Sequence, residues 1–318
     1  MERVLVTGGA GFIGSHLVRA LVEQGLAVRV ADNLSSGNME HLEPVLSRIE
    51  FVELDIRDQP AVLQAVSGVD TVFHQAAIAS VPRSMERPDL AHDVNVGGTL
   101  NVLEAARRSG VRRVVYAASS AVYGNEPELP KREDMPASPQ SPYAASKHAG
   151  ELYAQVYYRA FGLETVCLRC FNVFGPGQSP QSQYAAVIPA FLAAVLAAGS
   201  PDIYGDGEQT RDFVFVGDVV RANLAAAVAA AEACGRSYNI ASGRPISLNT
   251  LLAEISSLAG REVRSNHRPE RPGDVRHSVA SIDLAKQHLG WEPAVSLREG
   301  LALSLDWYRA LAAGEARA

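Results

Sequence analysis

The chain has 318 residues, 47% hydrophobic and 20% charged, an ordinary globular balance sized for two domains or one large domain with an appended lobe. That length supplies an ample core without metal or disulfide support; no apolar run approaches the roughly 18 residues of a membrane span, and the N-terminus lacks a signal peptide's basic start and apolar stretch, so a cytoplasmic protein is expected. A net charge of −6 speaks against a broad nucleic-acid surface, and three cysteines cannot build a disulfide framework.

Taken in chain order, short apolar runs predict strands at Arg3 to Thr7, Ala27 to Ala31, Ile49 to Leu54, Thr71 to Gln75, Arg113 to Ala118 and Glu164 to Cys170. Amphipathic stretches alternate with them, at Ile13 to Gln24, Ala61 to Val66, Leu90 to Ser109 and Tyr143 to Phe161. Near-continuous apolar strands between helices predict a parallel sheet covered on both faces, a doubly wound α/β fold of Rossmann type. In the strand ending at Cys170, Cys167 and Cys170 lie three apart and so point to opposite faces, which argues against a redox or zinc pair.

After Asn172 the rhythm changes. The run Gly175 to Pro180 reads as a loop. An Ala-rich helix near Ala185 to Ala198 follows, then a strand at Phe213 to Val216, a helix from Asp218 to Ala231, a strand at Tyr238 to Ile240 and two or three short helices. The expected organisation is a first domain over 1–172, with 213–242 returning to it, and a smaller C-terminal lobe from 173–212 and 243–318.

The segment Thr7-Gly8-Gly9-Ala10-Gly11-Phe12-Ile13-Gly14 follows the first strand and opens the first helix. It satisfies G-x-G-x-x-G from Gly9 and G-x-x-G-x-x-G from Gly8, a spacing that lets backbone approach a pyrophosphate at a helix N-terminus. The next strand ends in Asp32, 18 residues after Gly14, where a carboxylate accepts from ribose hydroxyls and repels a 2′-phosphate. That favours NAD over NADP, with Asn33, Ser36 and Gly37 in the turn that follows.

Ser119 and Ser120 end the fifth strand, where open α/β sheets place their ligands. Tyr143 and Lys147, four apart, share one face of the helix that Pro142 introduces. An ammonium near a phenol is expected to lower the tyrosine pKa, so that the phenolate takes a proton from an alcohol while hydride leaves the same carbon for nicotinamide. Ser119 is the candidate to orient the substrate hydroxyl.

The set TGGAGFIGSHL, DNLSSG, LDIRD, HQAA, NVGGTLNVLEAA, ASSAVYG, PYAASK, LRCFNVFGP and RDFVFVGDVV resembles the nucleotide-sugar 4-epimerases of the extended short-chain dehydrogenase/reductase family over nearly the whole chain. The resemblance implies a retained NAD, with Asp55 and Ile56 at the adenine, Gln75, Ala76 and Ala77 along the cofactor, and Asn95 supporting the sheet and cofactor site. It also implies Ser119, Tyr143 and Lys147 as the catalytic set, and a homodimer built on the helices around 90–109 and 143–161. Family members that dehydrate or decarboxylate their sugar carry an acid just after the strand-end Ser/Thr. Here Ser120 and Ala121 follow, which favours epimerisation over a 4,6-dehydratase, the runner-up beside another reductase of the same fold, while the joint presence of Ser119, Tyr143 and Lys147 argues against a non-catalytic NAD-binding regulator.

By the same resemblance, Arg211 and Arg271 match positions that hold the nucleotide diphosphate, which suits the fork geometry of arginine. Asp274 matches a position near the nucleotide ribose, and Asn172 one at the sugar diphosphate. Ser278 stands where relatives restricted to glucose and galactose carry tyrosine, leaving room for a 2-N-acetyl group, and Ser80 and Ala186 are further pocket-lining candidates. Cys170 departs from the tyrosine that many relatives place beside the nicotinamide.

Overall fold

A computed structural model describes residues 1–179, 186–270 and 275–314. The first half runs β1 (Arg3–Thr7), α1 (Phe12–Glu23), β2 (Ala27–Asp32), β3 (Ile49–Glu53), α2 (Gln59–Val66), β4 (Thr71–His74), α3 (Val81–Glu86), α4 (Pro88–His92), α5 (Thr99–Arg108), β5 (Arg113–Ser119), α6 (Pro142–Phe161) and β6 (Glu164–Cys170). The second half adds β7 (Asn172–Phe174), α7 (Val187–Leu196), β8 (Asp202–Tyr204), β9 (Thr210–Phe215), α8 (Val216–Val228), β10 (Arg236–Ile240), β11 (Pro245–Ser247), α9 (Leu248–Ala259), β12 (Asn266–Arg268), α10 (Asp283–Leu289) and α11 (Leu297–Ala312).

Seven strands form one sheet in the order β10-β6-β5-β4-β1-β2-β3, every neighbouring pair parallel. The side-chain alternation explains why these strands read as unbroken apolar runs. Val4 and Val6 enter the core beneath α1 and α8, while Leu5 between them enters the core beneath α2, α5 and α6. Each such side chain contributes roughly 1.5–3 kcal/mol by leaving water. Cys167 and Cys170 obey the same period: Cys167 lies in the second core and Cys170 packs against the first. Chain order reverses at β1, between β2 and β4, and a crevice opens at the carboxyl ends of the strands around that point.

Two stretches depart from the sequence reading. The single helix expected over Leu90 to Ser109 is α4 and α5 joined by a π-helical turn, Asp93–Gly98, whose wider ring turns Asn95 into the interior, 1% exposed. Of the 213–242 stretch, β10 pairs with β6 and α8 packs on the main sheet, but β9 lies elsewhere. It runs parallel to β7 and antiparallel to β11 in a separate three-stranded sheet. Phe174, Phe213, α7, α9 and α11 build a third core around that sheet.

The lobe is fastened by a carboxylate. Asp212 in β9 is fully buried and accepts from the Ser242 backbone N–H (2.8 Å), the Ser242 hydroxyl (2.6 Å), the Gly243 N–H (3.0 Å) and the Ala280 N–H (3.2 Å). These donors lie on the exit from β10 and on the segment entering α10, so one side chain ties the small sheet to the large domain.

Candidate active site

The Gly-rich turn sits at the carboxyl end of β1. Gly8 adopts a left-handed φ of +68°, and a Cβ there would lie 2.6 Å from the Ala76 nitrogen. A methyl at Gly14 would fall on the Gly8 carbonyl oxygen. Gly11, the residue before α1, offers no side-chain cap to the helix, so the first-turn N–H groups are left for an anion. Asp32, at the end of β2, accepts from the Ala10 N–H (3.0 Å) and the Leu34 N–H (2.8 Å). It both braces the Gly-rich turn and shapes the turn that carries Asn33, Ser36 and Gly37. At the end of β3, Asp55 is gripped by the Arg57 fork at 2.9 and 2.7 Å and by the Asn33 amide at 3.0 Å. The Arg57 hydrogen bond is the main reason its carboxyl titrates at about 2.

Beside β1, the Gln75–Ile78 strand exit is held from below by a hydrogen-bond chain whose direction is readable. Thr99 donates its hydroxyl proton to the Asn95 carbonyl (2.6 Å), so toward His74 Nε2 (3.0 Å) it can only accept. His74 is thus the Nε2–H tautomer, and Thr7 donates to its Nδ1 at 2.7 Å while accepting from the Ala76 N–H at 3.3 Å. Burial, then the Lys147 charge, lowers His74 to about 3, which keeps the ring neutral. The chain continues through the Asn95 side chain, which clamps both backbone groups of Ile78 (2.8 and 3.2 Å) and donates to the Ser146 hydroxyl at 2.9 Å. Ser146 donates to the Tyr143 carbonyl at 2.9 Å.

The first turn of α6 therefore has several anchors. Ser141 caps it through the Ala144 N–H (3.2 Å), Pro142 sits in the first turn, and Ser84 of α3 accepts the Tyr143 N–H at 3.0 Å. The Ser119 hydroxyl lies near enough to the Tyr143 phenol to act on its pKa, and Ser119 accepts from the Ala121 N–H at 3.2 Å. Burial raises Tyr143 above the ordinary phenol value, with the Ser119 hydroxyl pulling it partly back. The Lys147 ammonium lies 4.5 Å from the centre of the Tyr116 ring, and burial lowers it to about 8.

One cavity of about 1820 Å³ runs from the Gly-rich turn to the lobe. Gly8, Gly11, Phe12, Ile13 and Gly14 border it, as do Asp32, Asn33, Ser36, Gly37, Asp55, Ile56, Gln75, Ala76 and Ala77. So do Ser119, Ser120, Tyr143, Lys147 and Cys170, and, toward the lobe, Ser80, Asn172, Ala186, Arg211 and Ser278. Asn95 stands behind this wall, acting on it through Ile78. Arg271 and Asp274 lie outside the described residues.

The model of the NAD dependent epimerase/dehydratase family matches residues 4–241. The chain belongs to that family. The UDP-glucose 4-epimerase of Mycolicibacterium smegmatis is 42% identical over 311 residues, covering 96% of this chain and 98% of the relative. The structure of UDP-N-acetylglucosamine 4-epimerase from Methanobrevibacter ruminantium in complex with UDP-N-acetylmuramic acid is 39% identical, with a TM-score of 0.92 over 98% of this chain and 99% of that one. The UDP-glucose 4-epimerase of Thermus thermophilus, solved in complex with NAD, is 40% identical, with a TM-score of 0.87 over 96% and 99%.

The family's cofactor, NAD, fits what is built here. The Gly-rich turn is a cradle that a single methyl would fill, and an uncapped helix end faces it. Among the cavity residues that escaped the sequence reading are Arg57, Gln178 and Gln209. Arg57 is the partner that presets Asp55, and its signal was present in the Asp-x-Arg spacing. Gln178 and Gln209 each bury a side-chain oxygen without a partner among the described residues. Nothing in their loops marked them, because the cavity reaches them only once the lobe has folded over the sheet.

Proposed function

We propose that the protein catalyses reversible C4 epimerisation of a UDP-hexose, taking UDP-N-acetylglucosamine as well as UDP-glucose. The observation that carries this reading is the convergence of Ser119, Tyr143 and Lys147 on the cavity wall beside the Gly-rich turn, in a chain of an NAD-dependent epimerase family. Bound NAD supplies a hydride acceptor that returns what it takes, so none is consumed. Gly8, Gly11 and Gly14 would hold its pyrophosphate against α1, Asp32 its ribose, and Asp55 with Ile56 its adenine.

Tyr143, as the phenolate, accepts the proton of the sugar 4-hydroxyl, and Ser119 beside it on the cavity wall orients that hydroxyl. Lys147 supplies positive charge on the same helix face. The 4-keto sugar turns about its diphosphate, held by Arg211 and Asn172, so that C4 takes the hydride back on its opposite face while Tyr143 returns the proton to the C4 oxygen. Beyond Ser119 the wall presents Ser120 and Ala121, neither of which can protonate a leaving hydroxyl. The carboxylates bordering the cavity among the described residues are Asp32, Asp55 and Asp202, two at the far strands and one on the lobe, which disfavours a dehydratase.

Ser278, Ala186 and Ser80 are small side chains bordering the cavity, and their size supports acceptance of an N-acetyl group. A homodimer is the second part of the reading: Leu152, Tyr153, Val156 and Phe161 leave an apolar stripe on α6 that is 40% to 54% exposed. Three free cysteines suit a reducing cytoplasm. The test is proton NMR of the purified protein with each UDP-sugar separately and no added NAD. A galacto-configured anomeric signal is expected from both, whereas a 6-deoxy product or no conversion after NAD addition overturns the reading.

A further inference from the structure

We propose that the aromatic face of Tyr116 is the counter-group of the Lys147 ammonium, which makes Tyr116 a positioning residue for that lysine. The inference rests on the reading of Lys147 as catalytic, and adds a residue to which neither the motifs nor the comparisons assign a role.

The geometry starts from β5. Tyr116 follows Val115 and so points to the opposite face, into the core beneath α5 and α6. It is fully buried, and its hydroxyl donates to the Lys147 carbonyl at 3.2 Å. Two groups of one residue are thereby held by one side chain: the backbone of Lys147 by the phenol, and its ammonium by the ring, 4.5 Å from the centroid. A desolvated cation over an aromatic face gains more than an exposed one.

The ring has little competition for this task. Glu151, one turn along α6, is held by Arg169 in two hydrogen bonds of 3.0 and 2.6 Å and reaches Lys147 only as a charge through space, without an ion pair among the described residues. On β6, burial raises Cys167 well above the ordinary thiol value and Cys170 to about 12, so both stay neutral. On β4, His74 is neutral and stacks obliquely on Tyr116 at 5.7 Å. On α6 itself, burial raises Tyr143 above the ordinary phenol value, which disfavours a resting negative charge beside Lys147.

The backbone of α6 is cut to admit the ring. Gly150 faces Tyr116, and a Cβ there would lie 2.8 Å from Cζ and closer still to the hydroxyl. A glycine in mid-helix costs about 1 kcal/mol against alanine, and here it makes the space that sets the ring under Lys147.

The test replaces the ring's charge distribution while keeping its shape. Tyr116→Phe is prepared, then the same position with mono-, di- and trifluorinated phenylalanine, and Tyr116→Leu. In each cofactor-loaded protein the Lys147 midpoint is read by NMR of 13Cε-labelled lysine, assigned with Lys147→Met, and turnover of the UDP-sugar is followed against pH. The Lys147 midpoint is expected to fall stepwise with fluorination, by about one pH unit in total and as far in Tyr116→Leu. The alkaline limb of turnover moves down by the same amount. Gly150→Ala, which pushes the ring aside, gives the same downward shift in a chain that keeps Tyr116. A midpoint that is unchanged across the fluorinated series overturns the proposal, even if Tyr116→Leu fails to fold. A shifting midpoint in a protein without epimerase activity leaves the pair standing and instead removes the functional reading of Lys147.

Discussion

Tyr143 sits where its own surroundings disfavour the phenolate. Burial raises its pKa, the Ser119 hydroxyl lowers it only in part, and the ammonium of Lys147 is engaged with another ring. Tyr143→Phe is expected to lower turnover by at least about a hundredfold, while calorimetry shows UDP-sugar binding retained. Lys147, lowered to about 8 by burial, gives a pH dependence of defined sign. Its cation is complete well below pH 8 and lost above it, so turnover is expected to decline on the alkaline side once substrate is saturating. At Gly14 there is no room for a side chain, since a methyl would fall on the Gly8 carbonyl oxygen. Gly14→Ala is expected to abolish NAD retention, read as loss of the cofactor absorbance in the purified protein.

At the scale of elements, the site is joined by polar threads that cross several chain segments. The chain Ala76–Thr7–His74–Thr99–Asn95–Ser146–Tyr143 connects β1, β4, the π-helical turn and α6. The motifs HQAA and NVGGTL made Gln75, Ala76, Ala77 and Asn95 legible, yet His74 between its two threonines was not. Its partners come from positions 67 and 25 residues away in the chain, and no local period reveals such a meeting. A buried neutral histidine also leaves a mark on stability. Its folded value near 3 lies below the unfolded value near 6.5, so between those limits the unfolded chain binds more protons. Stability is full above about pH 6.5 and is lost as pH falls toward 3, with a slope of up to about 1.4 kcal/mol per pH unit from this group. Urea midpoints from pH 7 to 5 are expected to fall less steeply in His74→Gln than in the native chain. The Glu151–Arg169 pair is a second thread, 1% and 7% exposed, and Arg169 also donates to the Tyr123 hydroxyl at 2.8 Å. Glu151→Gln strands a buried guanidinium and is expected to cost roughly 3–5 kcal/mol in urea unfolding.

For the molecule as a whole, the main sheet was legible because its strands are buried on both faces, so apolar runs such as Val4-Leu5-Val6 and Val114-Val115-Tyr116 stand out from any helix pattern. The lobe was less so. The strand read at Phe213 to Val216 begins at Thr210 and finds its partners at β7 and β11; its charged start, Thr210-Arg211-Asp212, lay outside the apolar run. Asp212 in particular reads as a surface carboxylate until the four donors around it are folded into place. The apolar stripe on α6 bears on assembly. Leu152 and Val156, both 48% exposed, are one helical turn apart on the face away from Lys147. Leu152→Asp with Val156→Asp is expected to halve the mass in light scattering, with the far-ultraviolet circular dichroism unchanged.

The back-to-back arrangement of Cys167 and Cys170 on β6 equips the protein with two gauges of different events. Cys170 opens onto the cavity, so the slow capture of its thiol by a small disulfide reagent is a clock for how often the cavity stands empty. Cys167, 0% exposed beneath α6, and Cys234, 3% exposed, are reached only when the chain opens. Counting thiols released over time thus separates ligand turnover from global unfolding in one unmodified sample.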